Sequence, residues 1–276
     1  MAPFHKIGIV ANMQKESVRS ASTAVIDYLA GRGCESTLIG ERFGNVPEDT
    51  DLILVLGGDG TVLGAVRTIG DRDIPVLGIN MGHLGYLAEV ELGDFESSLY
   101  RVLAGEVHFE MRMMLEGSVP GRTGSIRALN DIVITRHGSL RMLKFNVSIG
   151  GKYLHTFSAD GMIISTPTGS TAYNFSAGGP IVDPTAELFL LTPICAHSVF
   201  GRSIVLSTED CITIEIGEGR KVSEYEAQAA FDGESEILLE AGESIEIRKS
   251  GKSTKLIRLG DDSFLNTLRQ KMGNMI

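Results

Sequence analysis

The apolar pattern of the first half of the chain alternates between short strand-like runs and stretches with a helical period. Runs at Ile7–Val10, Ser36–Ile39, Leu52–Leu56 and Ile74–Ile79 predict strands, and apolar residues at helical spacing after Ser17 predict a helix. The third run is continuously apolar, which is typical of a strand buried on both faces of a parallel sheet. Alternating strands and helices therefore predict an α/β layer with a parallel sheet.

The pattern changes near Gly105, after a further predicted helix at Asp94–Leu103 that Asp94 would cap. Beyond it the helical period largely disappears, and short β-rich runs alternate with turns such as Gly150-Gly151 and Asp232-Gly233. The predicted strands are Met111–Leu115, Ile132–Thr135, Lys144–Ile149, Tyr153–Ser158, Met162–Ser165, Ile204–Leu206, Cys211–Ile216, Ala229–Phe231, Ser235–Leu239 and Ser244–Arg248. This density of strands indicates a β-rich, sandwich-like domain.

These two patterns predict the domain organisation. We expect an α/β domain over residues 1–105 and a β-rich domain over residues 106–254. A last strand at Lys255–Leu259 and a short helix that starts at Asp262 are expected to pack back on the first domain, so that residues 255–276 complete it. We expect no linker long enough to separate the two domains fully.

A glycine-rich turn, Gly57-Gly58-Asp59-Gly60-Thr61, joins the buried third strand to the start of a helix. Such a turn exposes backbone N–H groups at the positive end of a helix, where they can bind a phosphate, and glycines let the backbone approach a ligand closely. A carboxylate repels phosphate unless a metal ion or a reacting hydroxyl lies between them. Asp59 therefore leaves two interpretations open, a phosphate-handling turn and a simple helix cap.

Two further segments carry candidate chemistry. Asn80–Tyr86 follows the next strand, where parallel sheets bind ligands, and Tyr86 offers a ring for stacking or merely covers the sheet end. Ser158–Val182 is rich in Ser, Thr and Gly, with Tyr173 inside it and Asp160 near its start. Such a segment buries little apolar surface but can present hydroxyls and N–H groups to a polar ligand, so we interpret it as a binding loop.

Composition narrows the function classes. The chain has 276 residues and a net charge of -10, which argues against non-specific nucleic-acid binding and requires local groups or a cation to bind an anionic substrate. Cys34, Cys195 and Cys211 are not at metal-ligand spacing and indicate reduced thiols in a cytoplasmic protein. We expect no signal peptide and no membrane-spanning segment, because no apolar run is long enough.

Taken together, these motifs resemble those of the NAD kinase family. The matching positions are Gly57–Thr61, Asn130-Asp131, Asp160-Gly161, Ser165–Tyr173, Ser176–Pro180, His197-Ser198 and Phe231–Gly233. The first motif also occurs in diacylglycerol-kinase-like and phosphofructokinase-like enzymes, whereas the long second motif is specific. The resemblance covers most of the chain. It implies phosphoryl transfer to the 2′-hydroxyl of the adenosine ribose of NAD, from ATP or in some members polyphosphate, by a homodimer or homotetramer.

The resemblance also implies roles for individual residues. Asp59 is placed to accept the hydroxyl proton, as the catalytic-loop aspartate does in protein kinases. Gly57, Gly58, Gly60 and Thr61 would offer backbone donors to phosphate. The residues expected to contact NAD are Asp59, Gly60, Tyr86, Asn130, Asp131, Asp160, Thr171, Ala172, Tyr173 and Ser176. Within that set Asp160 would lie near the nicotinamide half and Ser176 near the adenine.

The cations that would meet the phosphates are less defined. Ser158 and Ala159 stand where the family often has a basic residue. The remaining candidates, each more often a solvated surface charge, are Arg136, Arg141, Lys144 and Arg202. Because an acidic protein with Asp59 beside a triphosphate needs neutralisation, we expect a divalent cation, Mg²⁺ by preference, with no protein ligand assigned to it.

Two alternative functions follow from the same residues. A lipid or small-alcohol kinase could use the first motif alone, although the chain lacks an exposed amphipathic segment suited to a membrane surface. A sensor could bind NAD or NADP without turnover, although a carboxylate at Asp59 favours chemistry. Incubation with NAD, ATP and magnesium distinguishes the kinase from both.

Overall fold

The computed structural model of the protein describes residues 3–40, 45–82, 85–138, 141–197, 201–217, 225–260 and 263–273. By internal contacts the chain divides into two units, Met1–Met111 with Thr254–Ile276, and Arg112–Ser253. The predicted class, an α/β domain with a parallel sheet plus a β-rich sandwich-like domain, is confirmed. No helix among the described residues is both long and apolar enough to cross a membrane.

The first unit is a parallel sheet with helices. Its elements are β1 (Lys6–Ala11), α1 (Glu16–Ala30), β2 (Glu35–Gly40), β3 (Leu52–Leu56), α2 (Asp59–Ile69), β4 (Val76–Asn80), β5 (Val90–Glu91), α3 (Phe95–Ala104) and α5 (Ser263–Gly273). The strands pair in parallel in the order β2-β1-β3-β4-β5. β3 and β4 are buried at every position, which explains their continuous apolar runs.

The order in which the chain adds strands to this parallel sheet reverses after β2. After β1 the chain passes through α1 to β2 on one side, whereas after β3 it passes through α2 to β4 on the other side. The carboxyl ends of β1 and β3 therefore flank a topological switch point, which is where open α/β sheets bind ligands. Asp59 follows β3 at this edge, so the fold itself places the first glycine-rich turn where a ligand is expected.

The second unit is built from antiparallel strands. Its elements are β6 (His108–Ser118, mostly within this unit), β7 (Ile126–Ala128), β8 (Asp131–Arg136), β9 (Leu143–Ile149), β10 (Lys152–Ala159), β11 (Gly161–Ser165), α4 (Tyr173–Ser176), β12 (Phe189–Ile194), β13 (Ile204–Leu206), β14 (Ile212–Ile216), β15 (Ala227–Phe231), β16 (Ser235–Leu239) and β17 (Ser244–Arg258). A six-stranded sheet has the order β13-β12-β11-β8-β15-β16. β10, β9, β14 and the first part of β17 form a second antiparallel layer.

Each unit has its own hydrophobic core. In the second unit, buried side chains from the two layers, such as Phe145 and Ile214 on one and Ile134 and Phe189 on the other, form one cluster. Alternating positions of each strand contribute to it, as expected of a sandwich. In the first unit the cluster joins the sheet to α1 and α3, and Ile257 near the end of β17 belongs to it. The last part of β17 also pairs in parallel with β4, through Leu256 and Val76.

Several predicted elements differ from the structure. The predicted strand Ser244–Arg248 and all of the predicted strand Lys255–Leu259 except Leu259 belong to one continuous strand, β17, because the polar residues between them stay extended. Asp94 precedes α3, but its side chain makes no capping hydrogen bond, so its predicted role as a cap is wrong. The strand β12 is absent from the predicted strands. The predicted start of the last helix at Asp262 lies outside the described residues.

Candidate functional site

The first glycine-rich turn begins directly after β3. Gly58 precedes α2 in an extended conformation and Asp59 is the first residue of the helix. A Cβ atom on Gly57 would overlap the side chain of Thr61, so this position requires glycine. The side chain of Asp59 makes no capping hydrogen bond to its own helix, and the interpretation of Asp59 as a helix cap is therefore wrong.

The Asp59 carboxylate is held by the loop that follows β4. Its Oδ2 accepts a hydrogen bond from the N–H of Tyr86 at 2.9 Å, and its Oδ1 accepts one from the N–H of Leu87 at 3.0 Å. A Cβ atom on Gly85 would overlap this carboxylate, so the glycine allows the loop to approach it. The orientation of Asp59 is thus fixed by backbone donors, and each carboxylate oxygen keeps a lone pair for a ligand.

The Tyr86 side chain lies against the C-terminal helix. Its ring centroid is 6.0 Å from that of Phe264, and the Nζ of Lys271 lies 5.1 Å from the ring centroid. Burial, with a smaller contribution from the negative charge of Asp59, raises the pKa of the Tyr86 hydroxyl. The ring that the sequence predicts to stack on a ligand therefore has two neighbours on α5. His83, in the same predicted loop, lies outside the described residues.

In the second unit, Asp232 organises the segment that contains Asn130 and Asp131. Its carboxylate accepts hydrogen bonds from the N–H groups of Leu129 at 2.8 Å, Asn130 at 2.7 Å and Asp131 at 3.3 Å. Asp232 occupies a hairpin turn with a left-handed backbone, at φ 49°. The sequence identifies Phe231–Gly233 only as a family motif, and nothing in its pattern indicates that Asp232 binds the Asn130-Asp131 backbone.

Asn130 and Asp131 both carry polar side-chain atoms that are buried. The Oδ1 of Asn130 has no hydrogen-bond partner in the described part of the chain. Asp131 is 5% exposed, and burial, followed by the negative charge of Asp232, raises the pKa of its carboxyl from 3.8 to about 7. Buried polar groups are nearly always hydrogen-bonded in proteins, so the Oδ1 of Asn130 is a candidate for contact with a ligand.

The second motif packs directly on the same segment. The N–H of Thr166 donates to the Asn130 carbonyl at 2.9 Å, and the Thr166 hydroxyl donates to the Leu129 carbonyl at 2.6 Å. A Cβ atom on Gly169 would overlap the backbone of Asn130, so only glycine allows this approach. The two motifs, which are distant in sequence, are therefore brought together by backbone contacts.

The segment Ser158–Val182, predicted as a long loop, contains the strand β11 and two short helical turns, which corrects that interpretation. After β11 it forms a 3₁₀ turn, Thr168–Thr171, followed by α4. The buried amide of Asn174 donates to the Ser170 carbonyl at 3.2 Å and accepts from the Thr192 hydroxyl at 2.7 Å. Arg112, which is 2% exposed, donates to the Thr168 hydroxyl at 3.1 Å. Internal hydrogen bonds thus order a segment that buries little apolar surface.

Four predicted NAD contacts lie on this ordered segment. Thr171 and Ala172 are half-buried, whereas Tyr173, 45% exposed, and Ser176 present their side chains to solvent. A rigid support with exposed polar and aromatic side chains can bind a ligand without a large ordering cost.

Asp160 and the four basic candidates are arranged differently. Asp160 forms an ion pair with Arg136, with 3.2 Å between its Oδ1 and the arginine Nε, so the nearest predicted basic candidate is engaged. Arg141, Lys144 and Arg202 are exposed at the surface of the second unit. Among the described residues no group of three or more His, Cys, Asp and Glu side chains could hold a metal ion.

Two family models match the chain. A model described as the ATP-NAD kinase N-terminal domain matches residues 43–107, and one described as the ATP-NAD kinase C-terminal domain matches residues 129–259. An NAD kinase of Lachnoclostridium phytofermentans is 39% identical over 282 residues, which cover 98% of this chain and 99% of that protein. An NAD kinase of Lachnospira eligens is 42% identical over 239 residues, 82% of each chain.

Two solved structures of related kinases also resemble this chain. The chain resembles yeast NADH kinase complexed with NADH, with a TM-score of 0.89, 25% identity and coverage of 98% of this chain and 88% of that one. It also resembles an NAD kinase from Archaeoglobus fulgidus in complex with ATP, with a TM-score of 0.77, 26% identity and coverage of 96% and 98%.

Proposed function

The chain belongs to the NAD kinase family of phosphotransferases, and from this premise we propose that it transfers a phosphoryl group from ATP, or from polyphosphate, to the 2′-hydroxyl of the adenosine ribose of NAD. Similar chains bind NADH and ATP according to their structures, which supports a dinucleotide acceptor and a nucleotide donor. The observation that carries the proposal is the Asp59 carboxylate, held by two backbone N–H groups at the carboxyl edge of a parallel sheet.

Asp59 is proposed as the general base. Its carboxylate would accept the proton of the ribose 2′-hydroxyl while the hydroxyl oxygen forms a bond to the transferred phosphorus and the bond to the leaving phosphate oxygen breaks. The hydrogen bonds from Tyr86 and Leu87 fix its orientation, so little reorganisation is needed as the proton moves. Gly57, Gly58, Gly60 and Thr61 would offer N–H groups to the donor phosphates, since a helix N-terminus attracts anions.

The second unit is proposed to hold NAD. The unsatisfied Oδ1 of Asn130 is suited to accept a hydrogen bond from the dinucleotide, and the next residue in the chain, Asp131, is also buried. Tyr173 would contact the ligand through its exposed ring. The remaining predicted contacts, which rest on the family resemblance, are Gly60, Tyr86, Asp160, Thr171, Ala172 and Ser176.

A divalent cation, Mg²⁺ by preference, is proposed to neutralise the donor phosphates. Mg²⁺ typically binds through one or two carboxylates together with substrate phosphates rather than through an all-protein cage, and the described residues offer no such cage. Asp59 is the carboxylate at the glycine-rich turn and fits that requirement. Homodimer or homotetramer assembly and a cytoplasmic location also stay predictions, and light scattering of the purified protein tests the first.

The direct test is product formation. Purified protein is incubated with NAD, Mg²⁺ and either ATP or polyphosphate, and NADP is measured with an NADP-specific dehydrogenase. Phosphorus NMR of the product distinguishes a 2′-phosphate from a 3′-phosphate. Diacylglycerol in place of NAD tests the lipid-kinase alternative, and calorimetry with NAD and no donor tests the sensor. NAD binding without any product under all donors would refute the proposed transfer.

Asp59→Asn removes the charge of the proposed base. We expect kcat to fall by about 10²–10⁴, because loss of a general base typically costs that much, while NAD binding persists. The NH₂ group of the asparagine is a donor and would face one of the two backbone N–H donors. That N–H would lose its acceptor, so the free energy of unfolding should fall by about 1–3 kcal/mol. Asp94→Asn is the matched control, since Asp94 stands at the start of another helix in the same unit with no capping bond. Normal turnover by the Asp59 variant would eliminate Asp59 as the base.

A further inference from the structure

Arg258, at the end of β17, is a buried arginine that no sequence motif includes. Its side chain is 3% exposed. Its Nη1 lies 2.9 Å from Glu89 Oε2, and its Nε lies 2.9 Å from Glu110 Oε1. The same guanidinium reaches the carbonyl oxygens of Leu87 and Tyr86, each at 3.4 Å. One side chain therefore joins two carboxylates to the loop that holds Asp59.

The peptide group between Tyr86 and Leu87 connects Arg258 to Asp59. Its carbonyl oxygen, that of Tyr86, points to the guanidinium, whereas its N–H, that of Leu87, donates to Asp59 Oδ1 at 3.0 Å. A carboxylate at the N–H end and a guanidinium at the C=O end both match the direction of the peptide dipole. The two charges thus fix this peptide from opposite sides, and hydrogen bonds in such a chain reinforce one another.

We propose that Arg258 is a positioning residue for Asp59, acting through the Tyr86-Leu87 peptide and not through any contact with substrate. The inference rests on the proposed function only in that Asp59 acts on the acceptor hydroxyl. Glu89 and Glu110 fix the guanidinium, and Glu89 also accepts the N–H of Leu259 at 2.9 Å. Arg258 is thereby anchored on one side and can hold the loop on the other.

The geometry around Arg258 requires a guanidinium, and another cationic group such as an ammonium would not suffice. Arginine presents five N–H donors in a rigid, planar arrangement, whereas lysine has a single nitrogen on a flexible chain. Two carboxylates and two carbonyls surround Arg258 in different directions, and one ammonium group cannot reach them all. Arg258→Lys therefore keeps the buried charge but loses the hold on the loop.

The test combines amide hydrogen exchange with kinetics. In Arg258→Lys we expect the N–H groups of Tyr86 and Leu87 to exchange roughly tenfold faster in the native state, the size expected for one weakened hydrogen bond, with no change elsewhere in the sheet. We expect kcat to fall roughly 10- to 100-fold with the KM for NAD within about twofold. The control is Arg101→Lys, because Arg101 bonds the neighbouring carbonyl of Leu259 and is partly exposed.

A second pair of variants separates positioning from general stability. In an Asp59→Asn background, Arg258→Lys should reduce kcat no further, since its effect passes through the Asp59 carboxylate. If Arg258→Lys fails to fold, Arg258→Met with Glu89→Gln removes the more deeply buried of the two ion pairs as a whole, and the same faster exchange at Tyr86 and Leu87 is expected.

Three results would overturn the inference. One is unchanged exchange at Tyr86 and Leu87 in the Arg258 variants, and another is equally faster exchange at all amides. The third is a fall in kcat of the same factor with and without the Asp59 carboxylate. Absence of NADP formation by the unaltered protein would refute the proposed function instead, and the exchange measurement would still decide whether Arg258 holds the loop.

Discussion

Replacing Asp131 by asparagine should stabilise the protein at neutral pH. The Asp131 side chain is buried, with 5% of the residue exposed. Burial, followed by the charge of Asp232, raises its pKa from 3.8 to about 7. An asparagine side chain would have almost the same shape without the cost of ionisation, so Asp131→Asn isolates the electrostatic cost of this position.

The sign and size of the effect follow from proton linkage. Below about pH 4 both the folded and the unfolded states carry the proton, and Asp131 makes no pH-dependent contribution. Between 3.8 and about 7 only the folded state keeps it, so stability falls as pH rises. Above that range both states are ionised and the cost is complete. A difference of about 3 pH units at about 1.4 kcal/mol each gives about 4 kcal/mol as an upper value.

The assay is urea unfolding of both proteins at several pH values. The variant should exceed the unaltered protein in free energy of unfolding by at most about 2 kcal/mol at pH 5 and at most about 4 kcal/mol at pH 8. Asp160→Asn is the matched control, because Asp160 is paired with Arg136 and partly exposed. Loss of that pair should destabilise the protein by no more than about 1 kcal/mol at neutral pH.

A constant difference between pH 5 and pH 8 would refute the reasoning. In that case Asp131 would titrate in its ordinary range, and neither burial nor Asp232 would affect it. The carboxyl carbon chemical shift of Asp131 provides a direct check, with an expected titration midpoint near 7. A midpoint near 4 would contradict the unfolding analysis independently of how the two units unfold.

Two further predictions concern the second motif. Gly169→Ala should destabilise the protein by about 1–3 kcal/mol in thermal or urea unfolding, because the new Cβ would overlap the backbone of Asn130. Gly251→Ala, at an open position, is the control. Equal stability of the two variants would contradict the close approach of Gly169 to Asn130. Tyr173→Ala should raise the KM for NAD more than it lowers kcat. Phe175→Ala is the control, because Phe175 is equally exposed on the same short helix, and it should leave the KM unchanged. A lower melting temperature of Tyr173→Ala with normal kinetics would mean that Tyr173 has only a structural role.

The first unit could be predicted from local pattern. The five apolar residues of β3, followed by a glycine turn and helical spacing, specify strand, turn and helix within a few residues of each other. The neighbouring position of the loops after β3 and β4 then follows from a parallel sheet. The hydrogen bonds from the N–H groups of Tyr86 and Leu87 to Asp59 could not be predicted in this way, because the apolar pattern contains no information on loop conformation.

Other features depend on contacts that sequence patterns do not contain. Asp232 lies far along the chain from Asn130, and Arg258 lies still farther from Glu89, so only the tertiary fold pairs them. The strand β12 includes Pro193, which weakens a strand prediction, although the strand pairs on both sides. The pattern at Thr168–Thr171 predicts a loop because polar residues rarely form a buried core, yet internal hydrogen bonds satisfy them.

The late position of β17 in the chain affects how the protein is synthesised. Glu89 and Glu110 leave the ribosome long before Arg258, and β4 leaves long before Leu256 pairs with Val76. Closing such a distant contact costs more chain entropy than forming the hairpins of the second unit. Until then, two carboxylates have no guanidinium between them. A nascent chain released before Arg258 therefore cannot complete its first unit, however well its earlier segments have formed.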